Sequence, residues 1–195
     1  MDSDRLREQV RTAYSAAAVR PDARHSFPVG RAFAESLGYP PEWLDQTPSE
    51  AVEAFAGVSY VPGLVEPPAD GVVLDLGCGA GLDSLLIARR FPESVRVTGV
   101  DFSRPMLARA RRAGSQSGIT NVLFCQAAAE RLPLADGAVD AAIVNGIFNL
   151  NPARSAIFRE LARCMRPDGR LYGAELILRE PLPPDVKADE DNWFA

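Results

Sequence analysis

A short glycine-rich run is the part of the sequence whose residue types best suit ligand binding. Residues 75–81 have the sequence DLGCGAG, with glycines at three alternate positions. Because glycine has no Cβ, the backbone can turn sharply there and approach a bound molecule closely. A plain tight turn between a strand and a helix would use the same residues, so the run alone leaves both interpretations open.

An acidic residue further along the chain makes the ligand interpretation stronger. Asp101 lies 24 residues after Gly77, at the end of a predicted strand. An acid at an offset of roughly 20 residues can accept hydrogen bonds from both hydroxyls of a ribose. A solvated aspartate in a turn is the alternative. Taken together, the glycines and Asp101 favour a cofactor that contains adenosine.

The glycine spacing argues against a dinucleotide. A dinucleotide-binding loop has the pattern G-x-G-x-x-G and places a pyrophosphate on a helix N-terminus. Here the pattern is G-x-G-x-G, Leu82 stands where the last glycine would fall, and no basic residue lies between Gly77 and Arg89. The spacing therefore disfavours NAD, although a nicotinamide-dependent dehydrogenase stays an alternative.

Alternating strand and helix patterns should position these residues. The predicted strands cover 72–76, 95–100, 122–125, 141–144 and 170–177, and the predicted helices cover 82–91, 104–117 and 151–165. This alternation predicts an α/β fold: a Rossmann-like parallel sheet with helices on both faces. Ligands bind such sheets at the carboxyl ends of the strands, where both the glycine run and Asp101 fall.

Three regions are expected along the chain. Residues 1–70 form a helical N-terminal cap with helices over 3–18, 31–37 and 47–56, the last beginning at Thr47 with a capping box to Glu50. Residues 71–178 form the Rossmann-like cofactor-binding domain, and residues 179–195 form a short C-terminal tail. Four arginines in the helix over 104–117 are expected on its solvated outer face: Arg104, Arg109, Arg111 and Arg112.

Composition narrows the class of protein. The chain has 195 residues, 47% of them hydrophobic, and a net charge of −5, values typical of a folded domain. An acidic chain is a poor partner for nucleic acid or an anionic membrane surface, and no apolar run is long enough to span a bilayer. Cys78, Cys125 and Cys164 are far apart, so neither a disulfide framework nor a metal site is expected. The N-terminus has no apolar signal region, which predicts a cytoplasmic protein.

Four segments in order resemble the signature segments of class I S-adenosylmethionine-dependent methyltransferases. They are VVLDLGCGAGLD at 72–83, GVDFS at 99–103, AERLPLADGAVDAAIVN at 129–145 and LARCMRPDGRLYGAELIL at 161–178. The resemblance implies an enzyme with S-adenosyl-L-methionine as cofactor and a small-molecule methyl acceptor. The cofactor-binding residues that it implies are Asp75, Gly77, Cys78, Gly79, Gly81, Asp101, Phe102, Met106, Ala129, Glu130 and Asn145.

The resemblance also implies a role for each part of this set. Residues 75–81 would line the methionine half of the cofactor, and Asp101 would bind the ribose hydroxyls. Phe102, Met106, Ala129 and Glu130 would lie beside the adenine. The backbone carbonyl of Asn145 would meet the methionine amino group. Many relatives carry an acid for the adenine amino group at the position of Ala128, so that contact is missing here.

A closer resemblance is to arsenite methyltransferases. It rests on LGYPPEWLDQTPSEAVEAFAGV, on NGIFNLNP after strand four and on DEDNWFA at the end of the chain. Those enzymes bind arsenic through cysteines, one of which corresponds to Gly146, and residues 1–77 contain no cysteine. We therefore expect relatedness without the arsenic chemistry. An arsenite methyltransferase-like enzyme and a non-catalytic S-adenosylmethionine-binding module are the alternatives.

No acid–base group is required by methyl transfer from a sulfonium, because the electrophile is already activated and alignment is the main need. Three residues are catalytic candidates: Tyr14, His25 and Glu175. Tyr60 and Phe148 are candidates for a lid or a pocket wall. No room remains for the antiparallel strands with which related folds end, so strand five should be an exposed edge that pairs with 179–195 or with a second copy of the chain.

Overall fold

Five parallel strands form one sheet with the order β3-β2-β1-β4-β5. The computed structural model describes residues 3–92 and 94–180. The strands are β1 Gly71–Leu76, β2 Val95–Asp101, β3 Val122–Gln126, β4 Val139–Asn145 and β5 Met165–Ala174. The helices are α1 Ser3–Val19, α2 Arg31–Ser36, α3 Pro41–Asp45, α4 Ser49–Val52, α5 Leu82–Arg90, α6 Arg104–Ser117 and α7 Arg154–Cys164, with a 3-10 turn at Val61–Leu64.

The strand order reverses beside β1, which places the carboxyl ends of three strands together. In register, Leu76 of β1 lies between Val100 of β2 and Val144 of β4. All three side chains are buried, as expected of strands with helices on both faces. The predicted Rossmann-like α/β fold is confirmed, and its switch point lies where the glycine run and Asp101 were expected to meet.

One arginine of α6 joins the N-terminal helices to the sheet domain. Arg109 is only 8% exposed, and it donates to the carbonyls of Ala18 and Glu50 and to the carboxylate of Glu53. The prediction of a solvated outer face was therefore wrong for Arg109. The sequence pattern predicted α6 and placed Arg109 in it. It did not predict that α1 and α4 pack over Arg109.

The predicted helix over 47–56 exists, but its predicted cap and its predicted length were wrong. The Thr47 hydroxyl donates to the carbonyl of Trp43 at 2.8 Å, so it closes the end of α3. Helix α4 covers only Ser49–Val52 and has no side-chain cap. The capping box pattern was outweighed by α3, a five-residue helix that the sequence analysis did not predict.

The boundaries of β5 and α7 differ from the prediction. β5 ends at Ala174, not at 177, and the Pro-Asp-Gly run at 167–169 lies inside the strand instead of separating it from α7. A register shift opposite Val139 and Ala141 accommodates this run. Among residues 3–92 and 94–180, β5 is an edge strand, as predicted, and the following Leu176–Leu178 stretch is exposed. The expected cover by the tail largely falls on 181–195, outside the described residues.

Candidate functional site

A cavity of about 320 Å³ opens at the carboxyl ends of the central strands, beneath α1. Ten of the eleven predicted cofactor-binding residues line it: Asp75, Gly77, Cys78, Gly79, Asp101, Phe102, Met106, Ala129, Glu130 and Asn145. The eleventh, Gly81, adopts φ +86° at the start of α5 and packs toward Phe124. Gly81 therefore allows the turn into α5 but does not itself line the cavity.

The glycine loop has a backbone that only glycine adopts easily. Gly77 has φ +78° and Gly79 has φ +52°. A Cβ on Gly77 would lie 2.4 Å from Cγ2 of Ile147 in the loop after β4. The loop is therefore both left-handed and in close contact with its neighbour, which accounts for glycine at position 77.

Most of the amide groups in this loop are already used within the protein. The N–H groups of Gly77 and Cys78 donate to the carbonyl of Val100, and that of Gly81 donates to the carbonyl of Cys78. The N–H of Gly79 donates to the Asp101 carboxylate at 2.9 Å. A diphosphate needs several such donors, so this loop is a poor diphosphate cradle.

Asp101 is held at the end of β2 by backbone amides. Its Oδ2 accepts from Gly79 and its Oδ1 accepts from Ser103 at 2.7 Å. The residue is 7% exposed, and burial raises the pKa of its carboxyl to about 6 against the opposing effect of these hydrogen bonds. Each oxygen keeps a further lone pair, so the carboxylate can still accept from a diol.

Two more carboxylates are buried at the other end of the cavity. The Asp75 carboxylate accepts a hydrogen bond from the Ser84 hydroxyl at 2.5 Å. Burial raises the pKa of Asp75 well above its ordinary value, and the negative charge of Asp83 raises it further. Asp83 is 5% exposed, and burial raises its pKa to about 6.

Asp83 was missed by the sequence analysis. It stands in the first turn of α5, where an aspartate is common on a solvated face. In the structure its Oδ1 accepts from the Tyr39 hydroxyl at 2.6 Å, and its Oδ2 accepts from Asn145 Nδ2 at 2.8 Å. The sequence signal that could have identified Asp83 as a site residue was its position, two residues after Gly81, the last glycine of the run.

The side chain of Asn145 has a structural role that its predicted carbonyl contact did not suggest. Its Oδ1 accepts from the backbone amides of Val58 and Ser59, at 2.8 and 3.1 Å. Its Nδ2 lies within hydrogen-bond distance of Asp83 and Tyr39. Residues of the N-terminal region are thereby held against the end of β4.

Apolar residues and one ionic cluster form the side of the cavity near β3. Phe102 and Met106 lie there with the alanines of 127–129. The Glu130 carboxylate binds Arg7 of α1 and accepts from Asn151 Nδ2 at 2.8 Å. Glu130 therefore ties α1 across the mouth of the cavity.

The charges of the lining residues suit a cationic adenosine compound. Among the described residues, Arg7 and Arg11 are the only basic side chains that line the cavity, and they pair with Glu130 and Glu8. The buried carboxylates thus have no basic side chain paired with them. A sulfonium or ammonium group fits this field, whereas a diphosphate would be repelled.

The three catalytic candidates occupy different environments. Tyr14 lines the cavity and stacks on Phe27, with the ring centroids 4.4 Å apart. Within residues 3–92 and 94–180 its hydroxyl has no hydrogen-bond partner. Burial raises its pKa far above the ordinary value, and the charges of Asp101 and Glu175 raise it further. The phenol is therefore protonated at neutral pH.

His25 and Glu175 lie outside the cavity lining. Nε2 of His25 lies 2.8 Å from the carbonyl of Arg20, in a shallow depression on the other side of α1. Glu175 accepts from three consecutive amides of the loop after β4: Ile147, Phe148 and Asn149. The two lid candidates are also absent from the lining: Tyr60 packs against Tyr39, and Phe148 stacks on Phe158.

The three cysteines do not form a binding site together. Cys78 lines the cavity, Cys125 lies on β3, and Cys164 is buried at the end of α7. Burial raises the pKa of each thiol. No group of three or more potential metal ligands occurs in the described part of the chain. Gly146 has φ +85°, and a Cβ there would lie 2.9 Å from Val58 Cγ1.

The fold and the site together define a class of protein. They are those of a Rossmann-like α/β protein whose cavity at the switch point suits an adenosine cofactor without a diphosphate. The chain belongs to the methyltransferase domain family, whose model matches residues 68–194, and within it to the class I S-adenosylmethionine-dependent group. In the described residues no helix combines the length and apolarity needed to cross a membrane.

Several curated proteins are similar to this chain. An arsenite methyltransferase of Halobacterium salinarum is 36% identical over 120 residues, which are 62% of this chain and 31% of that protein. An arsenite methyltransferase of Aquipseudomonas alcaligenes is 33% identical over 159 residues, 77% and 46% of the two chains. A demethylmenaquinone methyltransferase of Thermus thermophilus is 41% identical over 113 residues, 57% and 48% of the two chains. The chain thus spans less than half the length of each.

A solved structure has the same fold over most of the chain. It is that of an arsenic(III) S-adenosylmethionine methyltransferase from Chlamydomonas reinhardtii, with a TM-score of 0.59 and 26% identity. The match covers 86% of this chain and 57% of that protein. The matched part includes residues beyond the sheet domain, since residues 71–178 alone are a smaller share of this chain.

Proposed function

We propose that this chain transfers a methyl group from S-adenosylmethionine to a small-molecule acceptor. The observation that carries the proposal is the bond between the Gly79 amide and the Asp101 carboxylate. It joins the glycine loop to the acid that would bind the ribose, and it removes a donor that a diphosphate would need. Membership of the methyltransferase family supports the same conclusion.

We assign the predicted residues to three parts of the cofactor. Asp101 binds the ribose hydroxyls, Phe102 and Met106 flank the adenine with Ala129, and the loop from Asp75 to Gly81 faces the methionine half. The order of these residues follows the order β3-β2-β1-β4 across the sheet. The adenine therefore faces apolar residues, and the ribose hydroxyls face the Asp101 carboxylate. The charged methionine end faces the part of the cavity that holds two buried carboxylates, Asp75 and Asp83.

Residues 1–70 serve as a cap over this site in our proposal. Val10 and Tyr14 of α1 line the cavity, and the bond from Arg7 to Glu130 holds the helix across its mouth. The Ser15 and Ser103 hydroxyls, 2.9 Å apart, join the other end of α1 to the start of α6. Such a cap excludes water from the reacting groups.

The chain contributes mainly alignment to the reaction. When bound, S-adenosylmethionine supplies a methyl group that its sulfonium charge already activates. The buried carboxylates stabilise positive charge in the cavity, and the cap excludes water. Tyr14 stays protonated, so its hydroxyl orients a group by donating a hydrogen bond and does not remove a proton.

Arsenite is not the acceptor in our proposal, although several relatives bear that name. The resemblance to arsenite methyltransferases implies an arsenic-binding cysteine at the position of Gly146, where this chain has a positive φ and Val58 lies too close for a side chain. The three thiols of the chain have raised pKa values and lie apart. An acceptor whose nucleophile needs no protein thiolate suits the cavity better.

Partners and location complete the proposal. We propose no nucleic-acid partner, because the chain is acidic overall, and a cytoplasmic location. The outer edge of β5, which no described strand pairs, and the exposed Ile177, 85% accessible, favour a homo-oligomer formed through strand five. Sedimentation of the wild-type chain tests this point, and a monomer at micromolar concentrations would contradict it.

The proposed function is tested by binding and by turnover. Calorimetry should show binding of S-adenosylmethionine and S-adenosylhomocysteine by the wild-type chain, but no binding of NADH. Formation of S-adenosylhomocysteine should then be measured with thiol, phenol, amine and metalloid acceptors. Binding without turnover on any of them would favour the non-catalytic module, and absence of binding would refute the proposal.

A further inference from the structure

The N-terminal region reaches the cavity at the end opposite the adenine side. The segment Gly57-Val58-Ser59 lies against the end of β4, and a Cβ on Gly57 would lie 2.5 Å from Asn145 Nδ2. Tyr39 comes from the loop between α2 and α3. These residues precede the part of the chain that the family model matches, which begins at residue 68.

Tyr39, Asp83 and Asn145 form one buried hydrogen-bonded group. Tyr39 is 1% exposed, and its hydroxyl lies 2.6 Å from Asp83 and 3.1 Å from the carbonyl of Ser59. Asn145 Nδ2 donates to the other oxygen of Asp83. Each carboxylate oxygen of Asp83 is thus held by one donor and keeps a free lone pair.

The negative charge of Asp83 has no cation beside it in the described residues. No ion pair of the described chain involves Asp83 or Asp75. Asp75 lies close enough for the two charges to repel, and both carboxylates line the cavity. A positively charged group between them would relieve this repulsion and replace the hydration that burial removes.

We propose that Asp83 binds the ammonium group at the amino-acid end of S-adenosylmethionine, with Tyr39 and Asn145 as its positioning residues. This inference rests on the proposed function, because it presupposes that the cavity binds this cofactor. Its consequence is that the N-terminal region completes the cofactor site itself as well as covering it. Tyr39 acts by fixing the Asp83 carboxylate and touches no part of the cofactor.

Two ligands that differ in the amino-acid end test the assignment. S-adenosylhomocysteine carries that end, whereas 5′-methylthioadenosine has the same nucleoside without it. Asp83→Asn should weaken S-adenosylhomocysteine about tenfold or more, since a charged contact is lost, and leave 5′-methylthioadenosine within about twofold. Tyr39→Phe should weaken the first ligand by about three- to tenfold with the same selectivity.

Matched variants separate this effect from general damage. Asp140→Asn and Tyr172→Phe alter a buried aspartate and a tyrosine outside the cavity, and both should bind the two ligands within about twofold of the wild-type chain. Asp101→Ala should weaken both ligands together. Thermal unfolding of each variant establishes that it is folded.

The outcomes are distinct. Equal loss of both ligands in Asp83→Asn, or unchanged binding of S-adenosylhomocysteine in Asp83→Asn and Tyr39→Phe, would overturn the inference and leave the proposed function intact. A wild-type chain that binds neither ligand would overturn the proposed function as well. Loss confined to S-adenosylhomocysteine in both variants supports the assignment.

Discussion

The amide of Gly79 donates a hydrogen bond to the carboxylate of Asp101, 22 residues further along the chain. The bond makes the tip of the glycine loop and the end of β2 one structural unit. A change in either residue therefore affects both the shape of the loop and the acceptor available to a ribose. Most of the proposed cofactor chemistry depends on this pair.

Asp101→Ala is expected to weaken S-adenosylhomocysteine by about a hundredfold. The variant removes the ribose acceptor and leaves the amides of Gly79 and Ser103 without theirs, and hydrogen bonds to charged groups contribute about 1.5–3 kcal/mol each. Isothermal titration calorimetry measures the loss. The control is Asp140→Asn, a buried aspartate away from the cavity, which should bind normally. Unchanged affinity in Asp101→Ala would contradict the assignment of the ribose.

Asp83→Asn is expected to stabilise the ligand-free protein at pH 8 by about 2–3 kcal/mol. Burial raises the pKa of Asp83 from 3.8 to about 6 in the folded state. The folded protein then binds more protons than the unfolded chain between these values, so its stability falls as pH rises from about 4 to 6. Asparagine removes that penalty. Its oxygen can accept from Asn145 Nδ2, and its amide group can donate to the Tyr39 hydroxyl, which then donates to the carbonyl of Ser59.

Urea unfolding at several pH values tests this prediction. The gain of Asp83→Asn over the wild-type chain should be full above pH 7 and should disappear as the pH falls below about 4, where the wild-type carboxyl becomes protonated in the unfolded as well as the folded state. A gain that does not depend on pH would have another cause. A loss of stability at pH 8 would contradict the burial of an uncompensated charge.

Gly77→Ala is expected to destabilise the protein by about 2–4 kcal/mol and to weaken the cofactor product. The new Cβ would meet Ile147 at 2.4 Å in a backbone with φ +78°. Gly137→Ala is the matched control, because Gly137 has φ +61° with nothing within 4 Å. The difference between the two variants in denaturant unfolding isolates the collision from the backbone strain. Equal losses would mean that the loop after β4 moves aside freely.

Arg109→Met is expected to loosen the N-terminal region at a cost of about 2–4 kcal/mol, since it leaves the carbonyls of Ala18 and Glu50 and the carboxylate of Glu53 without their donor. Limited proteolysis should then cleave within residues 1–70 faster than in the wild-type chain. Arg111→Met, on an exposed position of the same helix, is the control and should resemble the wild-type chain. Equal protection of the two variants would show that apolar packing alone holds α1 in place.

The strands of the sheet and the cofactor-binding residues that directly follow them could be predicted from the sequence, because both depend on local patterns. Buried parallel strands are continuous apolar runs, and a loop that needs positive φ selects glycine, so β1 and the 75–81 run could be recognised without a structure. Ten residues expected to bind the cofactor line one cavity. The short helices were harder to predict from the sequence. The pattern at Thr47 indicated the start of a helix, whereas in the structure the Thr47 hydroxyl closes the end of α3.

The remaining features depend on residues that are distant in the sequence. Asp83 and Arg109 look like ordinary surface residues of helices, and only the packing of residues 1–70 over α5 and α6 buries them. Glu175 is a catalytic candidate in the sequence, but in the structure its carboxylate accepts hydrogen bonds from the amides of Ile147, Phe148 and Asn149. The hydrophobic periodicity of the sequence does not predict contacts between residues so far apart in the chain.

The amino-acid sequence by itself determined the α/β class, the glycine loop and the position of the ribose acid, because period, glycine spacing and strand ends are local properties of the chain. The tertiary structure alone decided which carboxylates lose water and which amides are already bonded. Both properties depend on contacts between distant parts of the chain: Tyr39 and Asn145 surround Asp83, and Asp101 accepts from the Gly79 amide. Burial then raises the cost of an unpaired charge.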